Sequence, residues 1–305
     1  MNQAPPTPKG FRDIHPELAK KRRQTIAKIE EVLLEFGFVP IETPTIEFAD
    51  TLTGKYGEEE KLIYKFKDRG DRNLALRYDL TVPLARYVAA NNPKLPFSRY
   101  QIGQVFRGEN PQHGRYREFT QFDFDTVGPN DTGSSCAEDA RVIACALKSV
   151  RAVGLFSAIM LINDRANFAD TPIDVVRAID KIGKIGEGGV KEELKAKGMA
   201  LDEIENHLFK IKNAKPTENL EKIFEILKEK YTLSVDKDVV FDPTLARGLD
   251  YYTGAIFELK PSKTPDALTI GAGGRYDNLI GMFAKSTIPA VGFSFGVDRL
   301  VETLE

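Results

Sequence analysis

The segment Arg117-Glu118-Phe119-Thr120-Gln121-Phe122-Asp123-Phe124-Asp125 alternates polar and aromatic residues. As a β-strand it puts Arg117, Gln121, Asp123 and Asp125 on one face and Phe122 and Phe124 on the other. A polar face of this kind is either the solvated side of an antiparallel sheet or the floor of a ligand site. The neighbouring residues favour the floor. Arg107 precedes the segment across a glycine-containing loop that also carries Arg115, so cations gather at one end and carboxylates at the other. Such a floor suits a ligand with separated anionic and cationic ends, for instance an amino acid joined to a nucleotide phosphate.

Three further clusters have the residue types of a site. In Ala246-Arg247-Gly248-Leu249-Asp250-Tyr251-Tyr252-Thr253-Gly254 two tyrosines are consecutive. On a strand they could not both be buried on one face, so one is expected to line a cavity. Gly271-Ala272-Gly273-Gly274-Arg275-Tyr276-Asp277 lacks the spacing of a dinucleotide fingerprint. Its glycines would let a backbone approach a ligand or another strand. In Gly292-Phe293-Ser294-Phe295-Gly296-Val297-Asp298-Arg299, Arg299 falls in the first turn of a predicted helix, where the dipole disfavours a cation. A phosphate shared by the helix end and the guanidinium would reverse that preference, whereas a surface arginine would need no partner. His15, His113 and His207 are scattered, and no zinc spacing is present. Cys136 and Cys145 lie about 900° apart around a predicted helix, on opposite faces and beyond disulfide reach.

The elements that must position these residues read as follows. A helix over residues 17–36 buries Ile26, Ile29, Leu33 and Phe36 and stops at Gly37. Residues 38–46 are extended, and Pro40 and Pro44 confine them to a sheet edge or an interface. Residues 99–127 form a long antiparallel hairpin around the loop GENPQHGRY, and a helix through Cys136, Ile143 and Val150 follows. Strands are predicted at 158–162, 255–259, 267–270 and 289–295, with a closing helix over 297–304. Between them, residues 165–235 are helical in pattern, balanced in charge and opened by Thr171-Pro172. The expected organisation is an α+β fold, an antiparallel sheet flanked by helices. Residues 1–164 and 236–305 would form the core, with 165–235 inserted as a helical domain.

Composition narrows the class. The net charge of -2 excludes a wholesale basic coat for nucleic acid but not a local patch. No apolar run reaches a membrane span, and the N-terminal MNQAPPTPKGFRDIHP has no secretory h-region. A reduced, cytoplasmic protein without a metal cluster is expected.

Taken in order, these segments resemble the motifs of class II aminoacyl-tRNA synthetases, and specifically the histidyl-tRNA synthetase family. KGFRDIHP at 9–16 resembles the family's opening, and the first helix with 37–47 is similar to motif 1. Residues 99–128 resemble motif 2 and residues 289–300 motif 3. ARGLDYYTG at 246–254 resembles the histidine-specific motif, and Leu76-Arg77-Tyr78-Asp79-Leu80-Thr81 the histidine-pocket loop.

The resemblance implies ATP-dependent activation of L-histidine to histidyl-adenylate and its transfer to the 3′ end of tRNA(His), with Mg²⁺ bridging the ATP phosphates. Arg107 would bind the α-phosphate and Arg299 the γ-phosphate, with Arg247 opposite Arg107, these three being the catalytic set. Glu109, Arg115 and Tyr116 would line the ATP side. Asp79, Thr81, Gln121, Asp125, Arg247, Tyr251, Tyr252 and Tyr276 would hold histidine, and Gln112 and His113 would lie near the tRNA acceptor end. Asp79 and Asp125 stand where many members have glutamate. The resemblance also implies a homodimer through the first helix and residues 39–46. The family's C-terminal anticodon-binding domain is expected to be absent, which would leave tRNA charging weak. An alternative is the non-aminoacylating regulatory subunit of ATP phosphoribosyltransferase, a related protein that also lacks that domain.

Overall fold

The computed structural model describes residues 5–112, 114–129, 133–247, 251–264 and 267–304. Helix α1 (Pro16–Glu35) has proline at its first position, where a missing N–H costs nothing, and Gly37 just past its end takes φ +79°. Next come β1 (Val39–Pro40), β2 (Ile46–Phe48), the single turn α2 (Ala49–Leu52), β3 (Lys65–Lys67), β4 (Asn73–Leu76) and α3 (Thr81–Asn91). The long hairpin consists of β5 (Phe97–Phe106) and β6 (Glu118–Val127), followed by α4 (Ser135–Ala152) and β7 (Ile159–Asp164). Four helices follow, α5 (Ile173–Ile179), α6 (Ile182–Ala196), α7 (Leu201–Lys212) and α8 (Glu218–Tyr231). The chain finishes with β8 (Val239–Phe241), β9 (Ala255–Lys260), β10 (Gly271–Arg275), β11 (Ala290–Gly296) and α9 (Val297–Thr303).

The large sheet has eight strands in the order β1-β5-β6-β11-β10-β9-β7-β8. Its two outermost pairs, β1 with β5 and β7 with β8, are parallel, and the rest are antiparallel. The proline-containing segment is therefore an edge strand, where a missing N–H is tolerated. A three-stranded sheet, β2-β4-β3, stands beside it.

One face of the large sheet carries the main core. Phe122, Phe124, Phe257, Phe293 and Phe295 are buried there among Ile29 and Leu33 of α1, Ile143 and Leu147 of α4, and Leu220 and Leu227 of α8. Phe124 meets Phe293 and Phe295 with ring centroids 5.8 and 5.9 Å apart. The helical stretch 165–235 accordingly divides between two packing units. Helix α8 lies in the α1–α4 layer, while Val175, Val190, Leu194 and Leu208 of α5–α7 share a second cluster with Tyr251, Tyr252 and Tyr276.

One local expectation is corrected. Residues 267–270 are not a strand; β10 starts at Gly271 and is made of the glycines themselves. A Cβ at Gly273 would collide with the Gly292 carbonyl of β11, and one at Gly271 would meet the Phe293 ring at 2.5 Å, so close strand approach selects glycine over strand propensity. Tyr251 and Tyr252 lie in the turn that leads into β9, and both are buried. Their rings pack 4.8 Å apart.

Candidate active site

The alternation of β6 sends Gln121, Asp123 and Asp125 to the face opposite the phenylalanines, and all three are buried. The polar face is thus a covered floor and not a solvated one. Arg117 precedes the strand and leaves the floor. Its Nε donates to the Glu109 carbonyl at 2.9 Å, and its backbone pairs with Gly10.

The cationic end is built from the hairpin loop and α9. Arg107 leaves β5 and lies over the Tyr78 ring, 4.2 Å from its centroid, with Phe119 at 5.1 Å. Its Nε donates to the Tyr78 carbonyl at 3.2 Å. Arg115 pairs with Glu109 at 3.1 Å within a turn closed by Gln112 and Arg115. Gln112 is exposed at the loop tip, and His113 lies outside the described residues. Arg299 donates through Nε to the Gly114 carbonyl at 3.0 Å and through Nη1 to the Thr269 carbonyl at 3.2 Å. Burial, and then nearby Arg115, push its guanidinium pKa down, and Arg107 acts in the same direction. Like charges gathered out of water favour an anion between them.

Behind this end stands a network that spacing alone did not reveal. Arg12 stacks 3.7 Å over the Tyr116 ring and donates to its hydroxyl at 2.7 Å. It also reaches Asp298 at 2.6 Å and Glu302 at 3.1 Å, while Tyr116 donates to Glu302 at 3.1 Å. Asp298 further accepts from Arg22 of α1 and from the Thr120 amide. Arg12 falls inside KGFRDIHP and Asp298 immediately before Arg299, and those positions were the available signal.

The carboxylate end sits between β5, β6 and β11 and the start of α3. Asp79 Oδ1 accepts from the Tyr56 hydroxyl at 3.0 Å and from the Thr81 and Val82 amides at 3.1 and 3.0 Å, capping α3. Asp79 Oδ2 is buried without a partner. Asp125 lies across from Arg99 in the β5–β6 register, 2.7 Å from its Nη2, an ion pair by distance that is off-line for a hydrogen bond. The Tyr276 hydroxyl donates to its other oxygen. Gln121 Nε2 donates to Ser294 at 3.1 Å, leaving Oε1 buried and unpaired. Asp123, on the predicted face but not among the expected binding residues, also has a buried oxygen without a partner. Burial pushes its pKa to about 7, and burial raises Asp79 and Asp125 as well.

Tyrosines and Arg247 join the two ends. Arg247 lies 3.6 Å from Glu258, with its Nε buried and unpaired, and faces Tyr252 and Tyr251. Tyr252 faces Asp123, and Tyr251 packs 5.9 Å from Tyr276. Arg107 in turn faces Tyr78, Asp79, Glu109 and Tyr251. Among the described residues no three His, Cys, Asp or Glu side chains cluster to cage a metal. Gly248, Leu249 and Asp250 are outside the described residues.

Comparison with known proteins places this geometry in context. A family model described as histidyl-tRNA synthetase matches residues 10–169 and 189–300. The chain is 42% identical to the histidine–tRNA ligase of Aeropyrum pernix, over 98% of this chain and 74% of that protein. It is 36% identical to the histidine–tRNA ligase of Treponema denticola, over 97% and 72%. A solved histidyl-tRNA synthetase from a Nostoc species superposes with a TM-score of 0.78 at 28% identity, over 98% of this chain and 75% of that one. A Bacillus halodurans structure, titled both as an ATP phosphoribosyltransferase regulatory subunit and as histidyl-tRNA synthetase, superposes with a TM-score of 0.80 at 24% identity. That likeness covers 100% and 84% of the two chains and is one of fold.

Proposed function

The chain belongs to the histidyl-tRNA synthetase family, and from that premise we propose how its residues divide the work. It is a histidine–tRNA ligase, which activates L-histidine with ATP and transfers the histidyl group to tRNA(His). The observation that carries this reading is one sheet floor with Arg107, Arg115 and Arg299 at one end and buried Asp79, Asp123 and Asp125 at the other. An amino acid held beside ATP needs that polarity.

In the first step a carboxylate oxygen of histidine attacks the α-phosphorus in line. The bond to the β-phosphate bridging oxygen breaks and pyrophosphate leaves. In the second step the terminal ribose hydroxyl of tRNA attacks the histidyl carbonyl and AMP leaves. No protein nucleophile is required; positioning and charge neutralisation supply the catalysis. Arg107 and Arg247 would flank the α-phosphate and Arg299 the γ-phosphate, with Glu109, Arg115 and Tyr116 beside the nucleotide. Thr81, Gln121, Tyr251, Tyr252 and Tyr276 would enclose histidine with the carboxylates, and Gln112 and His113 would lie toward the tRNA acceptor end. Mg²⁺ would arrive on the ATP phosphates, with Glu109 the carboxylate at that end, and would neutralise charge on the leaving pyrophosphate.

The core halves 1–164 and 236–305 would carry this chemistry. The helical stretch would be a domain only over α5–α7, since α8 packs in the core. A homodimer through α1 and residues 39–46 is part of the same reading, as is a cytoplasmic location. No helix among the described residues is long and apolar enough to cross a membrane. The regulatory-subunit alternative has fold likeness in its favour and no observation at the site. The deciding experiment is ATP–pyrophosphate exchange. Histidine-dependent exchange is expected, and its absence from folded protein would overturn the assignment.

A further inference from the structure

We infer that Asn163, a buried amide at the end of β7, positions Arg247 for the activation step. It touches no substrate and acts through the backbone that carries the guanidinium. This deepens the histidine-activating reading and rests on its placement of Arg247 beside the α-phosphate.

Arg247 is aimed from behind. Its guanidinium lies 3.6 Å from Glu258 and its Nε is buried without a partner, so its own contacts hold it loosely. Residues 242–247, which carry it, belong to no strand; they leave β8 at Phe241, beside β7. Asp242 opens a turn there. Its amide donates to the Ile162 carbonyl at 3.0 Å, and its carbonyl accepts from the Leu245 amide at 3.0 Å. Its carboxylate accepts from the amide and hydroxyl of Thr244, at 2.9 and 2.7 Å. Asn163 fastens the same turn from the sheet side. Its Nδ2 donates to the Pro243 and Leu245 carbonyls at 3.1 and 3.0 Å. Leu245 and Ala246 are buried, and Arg247 follows directly.

Asn163 itself has little freedom. It is fully buried, and its Oδ1 accepts from the Asp164 amide and from Asn167 Nδ2, each at 2.8 Å. With both donors and both acceptor positions filled, the amide has one orientation. Reversed, its oxygen would face two carbonyls and its nitrogen two donors. The Oδ1 bonds lie where the chain leaves the sheet for α5–α7. There Asn167 also reaches the Lys215 carbonyl at 3.4 Å, and Asp164 accepts from Thr217 and Asn219, both at 3.0 Å. One side chain thus joins the sheet, the root of the helical stretch and the Arg247 segment. Asn163→Ala would leave two carbonyls without their donor and free that segment. A group acting on transition-state charge is sensitive to small displacements, and losing its aim lowers kcat more than it changes KM.

The test is histidine-dependent pyrophosphate exchange, with kcat and the KM for histidine and ATP measured beside the melting temperature. Asn163→Ala and Asn163→Ser should each lower kcat roughly 10–100-fold and leave both KM values within about threefold. In an Arg247→Ala background, Asn163→Ala should cost no more than about twofold further, because the two residues act as one unit. Asn167→Ala keeps both carbonyl bonds of Asn163 and should stay within about threefold of the parent. Parental kcat in a folded Asn163 variant overturns the inference, even where the melting temperature falls. So do losses that multiply in the Arg247→Ala background, an Asn167→Ala loss as large as that of Asn163→Ala, or a failure of both Asn163 variants to fold, which would make the residue structural. A parent without histidine-dependent exchange would instead sink the functional reading, and needs no variant to show it.

Discussion

Asp123 holds its carboxylate out of water beside Asp125 and Asp79, so its proton is retained to about pH 7. In the unfolded chain an aspartate ionises near pH ~4. Between those values the folded chain binds more protons than the unfolded one, so this group makes stability fall as pH rises from about 4 to about 7. Asp123→Asn cannot ionise. At about pH 8 it should be more stable than the parent by on the order of a few kcal/mol, and near pH ~4 the two should converge. Urea unfolding at both pH values checks this, and a variant less stable than the parent at both would contradict it. Arg247 makes the complementary case. Glu258 holds it loosely at 3.6 Å and its Nε is buried without a partner, as suits a group whose work lies with a ligand. Arg247→Ala should stay folded and lose roughly 10²–10³ in pyrophosphate exchange. Parental exchange by folded variant would remove Arg247 from the site. The acidic face was legible in the alternation of β6, since a period of two needs no tertiary information. What surrounds each carboxylate was not legible, because Arg99, Tyr276 and Gly292 reach Asp125 from three other strands or their ends.

Helix α9 places Arg299, and what holds α9 is Asp298. Its carboxylate gathers Arg12 from the N-terminal segment, Arg22 from α1 and the Thr120 amide of β6. Asp298→Ala would leave two guanidiniums together and a buried amide without an acceptor. A loss of about 2–4 kcal/mol is expected, with a raised KM for ATP because the next residue is Arg299, which we propose meets the γ-phosphate. Thermal unfolding together with ATP-dependent exchange kinetics measures both. A stable variant with unchanged ATP KM would show that α9 is fixed elsewhere. At this scale the sequence was readable where amphipathic periodicity was strong. Helix α1, the β5–β6 hairpin and α4 fall where the pattern put them. It misled at β10, where propensity argues against a strand of glycines but contact with β11 leaves no room for a Cβ at Gly271 or Gly273.

Over the whole molecule the α+β architecture was legible from the run of strand-like segments, but the extent of the helical stretch was not. Charge balance and helical pattern look alike in α5–α7 and α8, and only packing separates them. Helix α8 buries Leu220, Ile223 and Leu227 in the main core. The surface left uncovered is more telling. Leu34 of α1, Val39 of β1, Ile46 and Phe48 of β2 and Phe66 of β3 are 56%, 48%, 45%, 57% and 40% exposed. All but Leu34 lie on the edge strand of the large sheet or on the small sheet, and β1 has a neighbour on one side only. Exposed apolar side chains beside an unpaired strand edge invite association, and burying them in a partner is favourable by roughly 25 cal/mol per Å². The proline-containing segment suits such an edge, since a partner there need not satisfy every N–H. Sedimentation equilibrium at micromolar concentration should therefore give twice the 34.0 kDa chain mass. Replacing both Val39 and Phe48 with aspartate puts two like charges into a self-complementary face and should return the single-chain mass with circular dichroism unchanged. A parental protein that sediments as a monomer, or a double variant that stays dimeric, would show that the uncovered edge is not where two copies meet.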